Sequence, residues 1–205
     1  VVDYTSFTEG PLAEIACKAR QYPDGDRRCG SHLYALKEIH FEGLQTGETK
    51  SFNDENRVDQ TCLYLSEIRD GDKPFFLQLN LSKPHPPYVI HEPWYSMYDP
   101  ETITAFPPEL PVNASLPLRA QRKWRLGDDV PEAALREIQA VYYGMISFID
   151  DLVGHVLKTL EHEGLADNTL VIFTSDHGDY AGQYGINEKW DTSLQDCLLH
   201  VPLIM

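Results

Sequence analysis

Two short polar clusters in this chain combine residue types that do chemistry. One is Ser82-Lys83-Pro84-His85-Pro86-Pro87 and the other is Ser175-Asp176-His177-Gly178-Asp179. Asp176 and His177 offer a carboxylate oxygen and an imidazole nitrogen side by side, a donor pair suited to a divalent cation. At a strand end the turn can aim both inward, and Gly178 lets the backbone come close. The pair makes half of a metal site. Standing alone, an Asp-His-Gly triplet reads more simply: Asp176 caps the following turn and His177 is a solvated polar residue. The flanking residues decide between the two.

Both clusters stand where a sheet would gather them. Residues 75–81 (FFLQLNL) and 169–174 (TLVIFT) are short apolar runs bounded by turn formers, the pattern of strands buried in a parallel sheet. Each cluster follows one of them directly, and open parallel sheets collect ligands outside the carboxyl ends of their strands. Between the runs, Leu135, Ile138, Tyr142, Met145, Ile149, Leu152, Val156 and Leu160 keep a spacing of three and four. That spacing predicts one long amphipathic helix stopped by Gly164, with Gly144 a place for a bend. Pro131 suits its first turn, and Asp128, Asp129 and Glu132 lie near its positive end. A shorter helix is expected over 57–68, with Val58, Cys62, Leu65 and Ile68 on one face, and a third strand-like run opens at 200–205 (HVPLIM). Strand, long helix, strand is the signature of an α/β fold with a parallel sheet.

Prolines from Pro84 to Pro117 crowd residues 82–127, where missing N–H groups and fixed φ forbid long regular elements. A tethered surface excursion is expected there, and excursions of that length in compact domains are usually functional. Residues 1–56 are polar, irregular and the least legible.

Composition narrows the class. The 205 residues are 42% hydrophobic and 24% charged, as in an ordinary globular protein. Lys plus Arg number 17 against 32 Asp plus Glu, a net charge of -15. No basic stripe is present, which excludes a nucleic-acid partner. An acidic chain can still take an anionic substrate, because a bound cation and a few placed cationic side chains dominate the local field. No apolar run approaches the roughly 20 residues of a membrane-spanning helix. Cys17, Cys29, Cys62 and Cys197 form no Cys-x-x-Cys pair, so a zinc knuckle is disfavoured.

The segment TLVIFTSDHGDYAGQYGINEKW resembles the part of the sulfatases in which a strand ends in Thr-Ser-Asp-His-Gly, followed by a Gly-rich loop and a lysine. KPFFLQLNLSKPHPPYVIHEPWYSMYDP is similar to that family's Pro-Phe-Phe-Leu strand, His-x-Pro turn and Tyr-Asp-Pro stretch. YYGMISFIDDLVGHVLKTLEHEGLADNTLVIFTSDHG is similar to the helix and strand that lead into the metal motif, and HVPLI to the strand beyond. These ordered matches run from about residue 73 to 205. They resemble the sulfatase branch of the alkaline-phosphatase-like superfamily.

The resemblance implies an α/β, parallel-sheet catalytic domain of which 1–205 is part, and the hydrolysis of a small-molecule or glycan sulfate ester. It implies that Asp176 and His177 ligate a divalent metal, calcium in the first instance, with manganese or magnesium as alternatives. Lys189 would bind the sulfuryl oxygens and stand near the nucleophile, and His85 would contact the bridging oxygen as general acid. General chemistry agrees, since a lysine matches the negative oxygens and a histidine can protonate a leaving alkoxide near neutral pH. His91 and Lys83 are further candidates for the pocket wall, with solvated loop residues the equal alternative, as are Trp94, Tyr95 and Tyr98, although the aromatics serve equally well to pin the Pro-rich excursion. Asp150-Asp151 is read as structural, because adjacent helical residues diverge by about 100°.

Family members use a Cys or Ser in a Cys/Ser-x-Pro-x-Arg setting, converted to formylglycine, and none of the four cysteines has that setting. Lys37-Glu38-Ile39-His40 has the wrong spacing for the family's Lys-x-His pair. The expectation is therefore an internal piece of a longer polypeptide, inactive by itself, whose nucleophile lies upstream. Two alternatives stand beside sulfate ester hydrolysis: a phosphonate or phosphate ester hydrolase on the same scaffold, and a non-catalytic homologue that binds sulfated ligands.

Overall fold

The computed structural model describes residues 41–44, 53–69, 71, 73–104, 106–107, 109–124, 130, 132–189 and 193–205. Cys17, Cys29, the 37–40 segment, Asp128, Asp129 and Pro131 lie outside these residues. In chain order the elements are β1 (Phe41–Leu44), α1 (Asn53–Ile68), β2 (Tyr88–Ile90), α2 (Leu116–Trp124), α3 (Glu132–His162), β3 (Phe173–Thr174), α4 (Asp196–Leu199) and β4 (Leu203–Ile204).

The long helix is the organising element. On α3, Leu135, Ile138, Met145, Ile149, Leu152 and Leu160 of the expected stripe are buried, Tyr142 and Val156 are half-buried, and Val141 and Phe148 are buried beside them. The stripe packs on Tyr88 and Ile90 of β2 and on Val58 of α1. Truncating one such core side chain costs about 2–5 kcal/mol. The helix stops in a Schellman arrangement. Gly164 adopts φ +69, Leu165 N–H donates to Leu160 O at 2.9 Å, and Gly164 N–H donates to Glu161 O at 3.1 Å, which satisfies carbonyls the helix leaves open.

Gly144 does not bend the helix, which runs unbroken through it. A β-carbon there would collide with the Trp94 carbonyl, so Gly144 serves close approach. The Pro-rich segment crosses α3 at that point. Trp94 lies edge-on to Phe148 at 5.0 Å, and the hydroxyls of Tyr98 and Ser147 are 2.8 Å apart. These aromatics therefore pin the segment to the body.

Three elements differ from expectation. The 82–127 stretch is less irregular than its prolines suggest: it holds β2, fully buried, and the nine-residue helix α2. Pro117 falls in the first turn of α2, where a missing N–H breaks no bond. β2 pairs in parallel with β1, Phe41 opposite Tyr88 and Leu44 opposite Ile90. Residues 75–81 join no ladder among the described residues, and Phe76 is 90% exposed. The 169–174 run is a strand only at Phe173–Thr174, antiparallel to β4. A strand exists only where a partner supplies its ladder, and apolar character alone does not show which partner that is. Among the described residues no helix is long and apolar enough to cross a membrane.

Candidate functional site

The Asp-His pair follows β3 directly. His177 Nδ1 donates to the Gly178 carbonyl at 2.7 Å, which leaves the lone pair on Nε2. That nitrogen stands 3.8 Å from Asp176 Oδ1, a separation compatible with two donors on one cation at ligand distances of about 2.0–2.6 Å. Asp176 projects outward with its side chain 89% exposed, and its Oδ1 also accepts the His177 N–H at 3.0 Å. Ser175 Oγ donates to the His177 carbonyl at 2.7 Å. Gly178 donates its N–H to Leu198 O at 2.8 Å, and a β-carbon on Gly178 would strike the Cys197 carbonyl. Only glycine lets α4 lie against the loop. Among the described residues no group of three or more His, Cys, Asp or Glu side chains gathers around a metal position, so Asp176 and His177 stand as a two-donor set.

His85 arrives from the other side of the chain. The loop carrying it is gripped by the first turn of α1: the buried carboxylate of Asp54 accepts the N–H groups of Ser82 at 2.8 Å and Lys83 at 2.9 Å. Arg57 binds Asp54 Oδ1 at 2.9 Å and Ser82 Oγ at 2.7 Å. Lys83 turns inward, with Nζ donating to Pro87 O at 3.0 Å. The imidazole of His85 lies edge to face with that of His177, centroids 6.0 Å apart. His85 Nδ1 donates to Pro86 O at 2.7 Å, and Nε2 faces Glu188 Oε1 at 4.0 Å. Lys189 follows Glu188 directly and is half-buried.

The 179–189 loop is closed by groups the sequence did not single out. Tyr88, the first residue of β2 and fully buried, donates its hydroxyl to Asp179 Oδ1 at 2.7 Å and Oδ2 at 2.9 Å. The same oxygen accepts the Glu188 N–H at 2.8 Å. Asp179 Oδ1 also accepts from Ala181 N–H at 2.7 Å and Glu188 N–H at 3.1 Å. Burial pushes the Asp179 carboxyl above the usual carboxylate range, against the pull of these hydrogen bonds. Burial first, and then the Asp179 charge, raises the Tyr88 phenol well above its ordinary value. Glu188 is held at φ +67, a left-handed conformation uncommon for a side-chain-bearing residue and enriched at functional sites. Asp179 lies inside the polar cluster and was within reach of sequence reasoning. Tyr88 follows two prolines and carries no sequence signal beyond an aromatic suited to a core.

Other candidates fall elsewhere. His91 packs between Trp94, at 4.8 Å, and Phe148, at 5.5 Å, with Glu55 3.9 Å from Nε2. Lys83 is buried within its own loop. Asp150 and Asp151 are exposed on α3, and Asp151 stands 3.8 Å from His155.

The chain as a whole is similar to known proteins. A sequence model of the sulfatase family matches residues 17–205. The multifunctional alkaline phosphatase superfamily protein PehA of Trinickia caryophylli is 31% identical over 176 residues, covering 76% of this chain and 33% of the relative. Iduronate 2-sulfatase of Mus musculus is 33% identical over 168 residues, covering 74% of this chain and 30% of the relative. The phosphonate monoester hydrolase structure from Agrobacterium radiobacter superposes with a TM-score of 0.59 at 26% identity, over 82% of this chain and 37% of that one. The chain thus spans about a third of the length of the relatives it matches. Its fold is the α/β fold of the alkaline-phosphatase-like enzymes. The two polar loops that converge at His85 and His177 lie wholly within the matched region, and the chain belongs to the sulfatase family.

Proposed function

We propose that the polypeptide containing these residues hydrolyses a sulfate ester of a small molecule or glycan. Asp176 and His177 would hold a divalent cation, Lys189 the sulfuryl oxygens and His85 the leaving-group oxygen. The observation that supports this reading is the approach of the His85 and His177 rings to 6.0 Å, since an imidazole suited to proton transfer then lies beside the residues that would hold the metal. Nδ1 of His85 is committed to Pro86 O, so Nε2 is the ring nitrogen through which the imidazolium form would give a proton to a departing alkoxide. The Lys189 ammonium matches the negative sulfuryl oxygens. A cation, when bound, polarises the sulfuryl group. Calcium, with manganese or magnesium as alternatives, is the cation that the family resemblance implies, and of the two side chains it is the Asp176 carboxylate that suits such a hard ion. The nucleophile is a formylglycine contributed from outside these residues.

The test is made on the full-length polypeptide. Wild type loaded with calcium, manganese or magnesium should hydrolyse nitrophenyl sulfate, and Asp176→Ala should lose both metal content and activity, with partial recovery at high metal. Metal content unchanged in Asp176→Ala removes that residue from the ligand set, and a metal-loaded wild type inert toward every ester removes the function. A second reading, phosphonate ester hydrolysis, draws support from the likeness to the phosphonate monoester hydrolase, because the same three groups serve a phosphoryl centre. Comparison of kcat/KM on a nitrophenyl sulfate and a nitrophenyl phosphonate assigns the preferred centre. A pure sulfated-ligand binder has no use for a proton donor at position 85.

A further inference from the structure

His85 and His177 belong to different loops, and each ring bonds a carbonyl of its own loop, Pro86 O and Gly178 O, not the other ring. What registers one loop against the other is the hydroxyl of Tyr88, three residues beyond His85. It donates to both oxygens of Asp179, two residues beyond His177, and accepts from the Glu188 N–H beside Lys189. One oxygen atom therefore touches the metal-pair loop and the lysine loop while its own backbone continues the histidine loop. Tyr88 is itself immovable. Its backbone is in the β1–β2 ladder opposite Phe41, its ring meets Tyr142 of α3 edge-on at 6.0 Å, and it has no exposed surface. A buried hydroxyl that both donates and accepts is a fixed point, since breaking either bond leaves a buried polar group unsatisfied.

We propose that Tyr88 and Asp179 are positioning residues for the reaction. Through the hydroxyl–carboxylate contact they hold the leaving-group histidine at a set distance from the metal pair, touching neither substrate nor metal themselves. This proposal rests on the roles given above to His85 and His177. The relevant comparison is Tyr88→Phe, which keeps the ring in the core and removes the one oxygen. Misplacement of a catalytic group by about 1 Å costs on the order of 100-fold in rate. Because the displacement acts through His85, the loss should fall on kcat more than KM and should be at least about tenfold larger on an alkyl sulfate than on a nitrophenyl sulfate, whose leaving group departs without a proton. Tyr88→Phe combined with Asp179→Asn should lose no more than the worse single variant, as for two ends of one device.

A merely structural role would lower the amount of folded enzyme and depress both substrates alike, and that outcome overturns the proposal. So does an additive double variant. A readout independent of activity separates this proposal from the function it builds on. In crystal structures of wild type and Tyr88→Phe, the His85–His177 ring separation should widen by about 1 Å. Widened rings in an enzyme inert toward every ester retain the positioning device and retire the reaction, and unchanged rings retire the device whatever the enzyme hydrolyses.

Discussion

Asp54 accepts the backbone N–H of Lys83 at 2.9 Å and that of Ser82 at 2.8 Å, so the first turn of α1 holds the base of the loop that carries His85. The carboxylate is buried, with 1% of the residue exposed. Replacing Asp54 by Ala leaves two amide hydrogens without their acceptor and takes one of its partners from the Arg57 guanidinium. An unsatisfied buried donor costs about 1–3 kcal/mol, so urea unfolding of Asp54→Ala should show at least that loss. Stability within about 0.5 kcal/mol of wild type, the range of an ordinary surface substitution, would show that water replaces the carboxylate.

The general-acid role proposed for His85 is tested by the leaving group. General acid catalysis supplies about 10² to 10⁴-fold in rate, and it matters most for a poor leaving group. His85→Ala in the full-length enzyme should therefore lose at least about tenfold more kcat/KM on an alkyl sulfate than on a nitrophenyl sulfate. Equal losses on the two esters leave His85 as a binding residue.

Gly178 lies so close to Cys197 and Leu198 that a methyl group would meet the Cys197 carbonyl carbon at 2.9 Å and the Leu198 Cα at 3.2 Å. Both are backbone atoms of α4, which cannot rotate aside. Gly178→Ala should cost about 1–3 kcal/mol as overpacking and should push the Asp-His pair away from α4, with a fall in metal content. A variant that melts with wild type and binds metal equally would mean that α4 slides without resistance.

Burial, and then the nearby Asp179 carboxylate, pushes the Cys197 thiol up from its ordinary 9.0 to about 11. In the folded protein the thiolate forms only as pH passes 11, while in the unfolded chain it forms around 9. Iodoacetamide labelling of Cys197, followed by site-resolved mass spectrometry, should give a pH midpoint near 11 in native buffer and near 9 in urea. The fold should also lose stability as pH rises between those two values, because only the unfolded state ionises there. A native midpoint at or below 9 contradicts the shielding.

Legibility followed contiguity. Asp176 and His177 sit in one unbroken stretch, so their pairing needed no knowledge of the fold. The long helix was readable because its buried stripe obeys a period that sequence displays, and its end was readable because Gly164 has a local reason to be there. The approach of His85 to His177 came through resemblance, since nothing local to either loop encodes the other. Tyr88 escaped notice for a physical reason: a buried tyrosine earns its place through the ring, and the partner of its hydroxyl is a property of tertiary structure. The same holds for residues 75–81, whose apolar run implied a buried strand while Phe76 points outward. Helix α2 was hidden by Pro117, a residue that breaks helices everywhere except in the turn where it sits.

The two carboxylate anchors, the buried Asp54 and the half-buried Asp179, grip main-chain N–H groups at Ser82, Lys83, Ala181 and Glu188. Every amino acid but proline brings such a group. The frame around His85 therefore rests on main-chain donors more than on the identity of the side chains that follow them. What can replace those side chains is filtered by backbone shape and space, since Glu188 at φ +67 disfavours β-branched side chains, Ala181 is buried at φ +45, and the Ser82 hydroxyl is itself bonded by Arg57.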